Sequence, residues 1–210
     1  MILQGQVGPL ATTSGISDGT AATLRLGKLG DLIKSDLNPK YYELAYRRAL
    51  FNGGIVGQVT SAALSTTYTG LCLSNPIGST VNLVIVKVGY SFSVAFAAAA
   101  AIGLMTGFNS GTNVTHTTPV TPRSQFFGVG PSGQGLLDSA ATLPTAPTIN
   151  TILGVGLTGA ITTVPSIPNS LVDIGGSIVL PPGAYCAIYT STASGAAGGN
   201  FSFTWAEIPV

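Results

Sequence analysis

Few residues of this chain could do chemistry. His116 is the sole histidine among 210 residues, and an imidazole that titrates near neutrality is the commonest general base. It sits in NVTHTTP, a polar loop by composition, so it reads as a solvated histidine rather than a base. Hydrolysis by paired carboxylates needs two acids within several ångströms of each other. Beyond Arg48 only Asp138, Asp173 and Glu207 are available, and none stands in a recognisable setting. Cys72 and Cys186, the only two cysteines, lie far apart; they could meet across a sheet, but a pair of buried free thiols is the expected reading. With one histidine they form no ligand-spaced cluster, so neither a metal nor another cofactor is expected. GVGPSG (Gly128–Gly133) and GVGLTG (Gly154–Gly159) match G-x-G-x-x-G, but the first contains Pro131 and the second runs into AITTVP, so both are expected to be loop glycines. No G-x-S-x-G occurs. Asn113 and Asn200 head glycosylation sequons by pattern only. No site for a reaction emerges, and the chain is expected to be non-enzymatic.

The charges speak instead of assembly. They make up 7% of the residues, against about 25% in an ordinary soluble domain. Ten of the fifteen lie between Asp18 and Arg48, and the 160 residues from Phe51 onward carry five. A surface so poor in charge is covered by Ser, Thr, Asn and Gly, or by other subunits, and a homo-oligomer is expected. The net charge of +1 argues neither for nucleic acid nor for an acidic partner, and no nucleic acid is expected. Arg25, Lys28, Lys34, Lys40, Arg47 and Arg48 alternate with Asp31, Asp36 and Glu43, a mixture that suits docking on another protein better than tracking phosphates. The opening MILQGQVGPLATTSG has no basic region before an apolar run, so no secretory signal is expected.

The longest uncharged stretch, VGYSFSVAFAAAAAIGLMTG (Val88–Gly107), tests for a membrane span. Val88, Tyr90, Phe92, Val94 and Phe96 are large, while Gly89, Ser91, Ser93, Ala95 and Ala97 are small. That is period two, the signature of a strand with one bulky face and one flat face. No membrane span is expected. The flat face suits close approach by another sheet, a subunit or a loop. The alanines from Ala97 to Ala101 predict a loop or one helical turn.

These elements imply a simple organisation. Residues 1–53 form an extended N-terminal arm carrying one short helix, a docking segment. Asn38 as N-cap and Pro39 in the first turn predict a helix over YYELAYRRALF, ended by Gly53 and Gly54. Tyr42 and Tyr46 share one of its faces with Ala45 and Ala49, to pack on a sheet or on a partner, and Glu43 and Arg47 are spaced for an i,i+4 pair. Residues 54–210 form a β domain of short Val-, Ile-, Thr- and aromatic-rich runs between turn residues, with a loop-rich stretch at 108–176. The fold is mostly β: an antiparallel β-sandwich of the jelly-roll type. Alternation places Tyr90, Phe92, Phe96, Tyr185, Tyr189, Phe201, Phe203 and Trp205 in the core or at an oligomer contact.

Three segments carry a resemblance: GTAATLRLGKLGDLIKSDLNPKYYELAYRRALF, LSTTYTGLCLSNPIGSTVNLVIVKVGYS and LPPGAYCAIYTSTASGAAGGNFSFTWAEIPV. Together they resemble small head-associated virion proteins of tailed bacteriophages. The resemblance implies a capsid decoration (cement) protein or minor head protein, commonly trimeric, on the capsid surface of a particle assembled in the host bacterial cytoplasm. Its partners would be itself and the major capsid protein or another virion protein. A head-fibre, tail or receptor- and glycan-binding module is the alternative expectation.

Overall fold

The computed structural model describes residues 39–61, 64–94, 96, 98–128, 133–156, 170–194 and 198–210. Tyr41–Val210 makes one compact unit. Its elements in chain order are α1 (Tyr42–Tyr46), β1 (Leu50–Gln58), β2 (Thr67–Ser74), β3 (Val81–Phe92) and β4 (Ala100–Phe108). Then come β5 (Thr115–His116), β6 (Pro119–Val120), β7 (Arg123–Ser124), β8 (Leu136–Thr142), β9 (Thr148–Gly156), β10 (Ser170–Leu180), β11 (Ala184–Thr190) and β12 (Gly199–Pro209). All pairings are antiparallel.

One sheet has the order β10-β3-β12-β1-β7, and the other β5-β8-β2-β11-β4-β9 with β6 also on β8. With β5 to β8 set aside, four strands remain in each sheet, in the orders β10-β3-β12-β1 and β2-β11-β4-β9. This is the double Greek key of a jelly roll. The stretch between β4 and β9 is an insertion that widens the second sheet through β8 and lays β5 and β6 beside it.

Alternation builds the core between the sheets. Phe51, Phe92, Phe203 and Trp205 are buried there, with Phe51 stacked on Trp205 at 6.0 Å and Phe92 edge-on to Phe201 at 5.5 Å. Tyr90 and Phe96 join the same cluster. Tyr185 is buried on the other face of the second sheet, with Tyr68, Cys72 and Met105, and Tyr189 packs partly against them. The aromatic residues singled out from the sequence are thus largely interior to one chain.

β3 keeps its alternation only by breaking it once. Lys87 pairs with Thr204 and Ile85 with Trp205, which leaves Val86 as an extra residue. Leu83 and Ile85 point into the core before this bulge, Val88, Tyr90 and Phe92 after it, and Val86 turns outward onto Leu50 and Ala206. A bulge of this kind resets which face a strand presents.

Four expectations need correction. The predicted helix over Tyr41–Phe51 is five residues long, and Gly53 and Gly54 lie within β1 rather than capping a helix. Pairing with β12 overrides local helix propensity there. Of the two roles expected for its tyrosine face, packing on the sheet is not made by Tyr42 and Tyr46, which are exposed; the helix packs through Tyr41, Leu44 and Ala45 onto Leu50, Val86 and Ala206. Val94 is exposed because β3 ends at Phe92. Of the alanine run, Ala100 and Ala101 already belong to β4. No helix among the described residues is long and apolar enough to cross a membrane.

Candidate functional site

The insertion creates the one place among the described residues where a carboxyl group, an imidazole and a hydroxyl meet. β8 pairs with β2 so that Asp138 stands opposite Cys72, on the sheet face that the insertion covers. Asp138 is wholly buried. Hydrogen bonds to its oxygens offset the cost of burying such a group. Its Oδ1 accepts the backbone N–H of Ala140 at 2.7 Å and of Thr118 at 2.9 Å. Its Oδ2 lies 3.2 Å from Nδ1 of His116, but both atoms are buried and neither makes a hydrogen bond among the described residues. On the far side of the ring, Nε2 lies 3.2 Å from the Ser74 hydroxyl oxygen.

His116 is therefore not the solvated loop histidine expected from its sequence setting. It is held on β5 against β8, with its side chain 19% exposed. Asp138 likewise has the specific setting that its sequence context did not reveal. The two other acids of the β domain serve structure. Glu207 accepts from the N–H groups of Gln134 and Gly135, both at 2.9 Å. Asp173 accepts from the Tyr41 hydroxyl at 3.0 Å.

Ser74 and His116 line a cavity of about 220 Å³, together with Asn75, Asn113, Val114 and Leu136. The Asn75 amide nitrogen donates to the carbonyls of Val81 and Leu180, at 2.8 and 2.9 Å. Its buried Oδ1 has no partner among the described residues. Asn113 accepts the Ile77 N–H through Oδ1 at 2.8 Å. Next to the site, burial pushes the Cys72 thiol up, with Cys186 and Asp138 adding to the shift. No group of three or more His, Cys, Asp or Glu among the described residues could hold a metal ion.

The docking residues expected from the sequence divide in two. Arg25, Lys28, Asp31, Lys34 and Asp36 lie outside the described residues. Around α1, Tyr42 and Tyr46 are exposed and stacked at 5.9 Å. Tyr46 meets Phe126 edge-on at 6.2 Å, and the Arg48 guanidinium lies 5.6 Å from the same ring. Arg47 pairs with Glu43 at 2.6 Å, as their spacing predicts. Lys40, just before α1, is exposed. Tyrosine and arginine are the residue types that anchor protein interfaces.

A second surface was not singled out from the sequence. Among the described residues, β9 and β10 are the outer strands at the same side of the two sheets, and residues of both line one groove. Phe108, Ile149, Ile152, Val155, Leu171 and Val179 are exposed along this flank. The only charge in either strand is Asp173. Sheet edges in monomers are normally guarded by charges, prolines or short length; β9 and β10 run to nine and eleven residues.

No family model matches the chain, and no curated protein or solved structure matches it either.

Proposed function

We propose that the chain is a structural protein of a virion, a capsid decoration (cement) protein that acts by binding rather than by turnover. It self-associates through the β9/β10 flank, with a trimer favoured, and docks on the shell through its N-terminal segment. The observation that carries the assembly part is the flank itself: two long strand edges, one charge between them and six large apolar side chains exposed beside them. Exposed apolar surface of this kind marks an interaction site. The choice of a phage head as the setting rests on the resemblance of the three sequence segments. The aromatic and basic cluster at Tyr42, Tyr46 and Arg48, beside the charge-rich stretch that precedes it, supports docking at that end.

Light scattering of the full chain at micromolar concentration tests the first step. The expected mass is that of three copies of the 21.1 kDa chain. Ile152→Lys with Val155→Lys places charges on the β9 edge and should give a folded monomer. A wild-type monomer, or a doubly substituted chain that still assembles, would overturn the flank as the contact.

A further inference from the structure

We infer that Ser74 is an activated serine, a nucleophile that takes an acyl group from a small activated ester. The inference does not rest on the assembly reading, because Ser74, His116 and Asp138 lie on β2, β5 and β8; the cavity beside them and the β9/β10 groove share one lining residue, Ala184.

Ser74, His116 and Asp138 stand in the order nucleophile, base and orienting acid. The two gaps, Ser74 Oγ to His116 Nε2 and His116 Nδ1 to Asp138 Oδ2, are both 3.2 Å. That is within the reach of a base in an unliganded site, where such contacts are often loose or poorly aligned. Asp138 uses Oδ1 for two backbone N–H groups, which leaves Oδ2 a buried acceptor 3.2 Å from Nδ1, with no hydrogen bond between them in the unreacted site. This favours the tautomer with its proton on Nδ1, which leaves the Nε2 lone pair for the serine hydroxyl. The same constellation recurs on unrelated folds and is recognised by geometry and roles.

The cavity supplies the remaining parts. At about 220 Å³ it is smaller than the roughly 300–1,000 Å³ of drug-sized sites, so it fits a short acyl chain. Val114, Leu136 and Ala184 make its apolar wall. Asn113 has its Oδ1 taken by the Ile77 N–H, so the group it can offer a developing oxyanion is its amide N–H. Asn75, which also lines the cavity, keeps a buried Oδ1 without a partner among the described residues, and buried polar atoms left in this way call for an explanation.

In the step itself Ser74 Oγ attacks the ester carbonyl carbon. The new C–O bond forms as the bond to the leaving group breaks, and the leaving group departs with its electron pair. The serine proton passes to His116 Nε2 and then to solvent. The product is an ester on Ser74.

The test incubates the full chain with p-nitrophenyl acetate, follows release of p-nitrophenolate and locates the acetyl group by tandem mass spectrometry. One equivalent should be released in a burst, with the acetyl group on Ser74. Ser74→Ala should abolish the burst, and His116→Gln should slow it by about 100-fold. The decanoate ester, too large for the cavity, should give no burst. No acetyl group on Ser74, or a His116→Gln chain reacting at the wild-type rate, overturns the inference. A measurement that needs no variant is nitrogen NMR of the chain's one imidazole. The neutral ring should carry its proton on Nδ1; a proton on Nε2 also overturns the inference.

Discussion

Cys72 and Cys186 occupy neighbouring strands, yet their side chains lie on opposite faces of the same sheet. Cys186 is in the core between the sheets and Cys72 in the cluster beneath the insertion. In the antiparallel register Cys72 faces Ala187 and Cys186 faces Leu73. The pair cannot form a disulfide without a register slip, and both thiols are free and buried. Burial pushes both up from the ordinary thiol value. The folded chain therefore holds protons that the unfolded chain releases above about pH 8.5. Their contribution to stability is full below that pH and is lost as the pH rises. Denaturant unfolding should show each thiol costing about 1.4 kcal/mol between about pH 7.5 and about pH 9.5. A flat profile, or one unchanged in Cys72→Ala with Cys186→Ala, would count against buried protonated thiols.

Among the elements, β1 decides where the folded unit begins. Phe51 is buried against Trp205, and Leu50 lies beneath α1. Leu50 to Gly53, counted with the arm from the sequence, are the first residues of a strand between β12 and β7. A chain beginning at Pro39 should keep its melting temperature within a few degrees. One beginning at Gly54 should lose at least the roughly 3–5 kcal/mol typical of removing a buried phenylalanine. Equal stability of the two truncated chains in denaturant unfolding would show that β1 does not matter in this way. The misreading has a physical origin. ALFNGGIVG carries glycines that read as a helix stop, but Gly54 is needed inside the strand because a Cβ there would come 2.7 Å from the Phe201 carbonyl oxygen. The strands with strict alternation, β3 and β12, were legible because period two is local. The Ser74–His116–Asp138 site was not. Ser74 and His116 are 42 residues apart, and only the pairing of β8 with β2 and β5 brings the three together. No spacing rule encodes such a meeting. A sole histidine with an acid farther along the chain was the whole local signal.

At the scale of the molecule, the scarcity of charge sets what kind of force can hold copies together. Of the five charges beyond Phe51, Asp138 is buried, Glu207 ties down the Gln134–Gly135 backbone, and Lys87 lies 4.8 Å from the Tyr41 ring centroid. Asp173 accepts from the Tyr41 hydroxyl. The β9/β10 flank thus offers apolar side chains and strand edges, with almost nothing for salt to screen. Contacts between exposed charges fade as the screening length falls from about 10 Å at 0.1 M salt to about 3 Å at 1 M, whereas burial of apolar surface does not depend on that length and weakens on cooling instead. Sedimentation velocity should therefore find the oligomer intact from about 0.1 M to about 1 M sodium chloride, and partly dissociated in the cold. Dissociation by salt at constant temperature would move the contact away from the flank. It would point instead to the mixed charges between Asp18 and Arg48, where ten of the chain's fifteen charges lie.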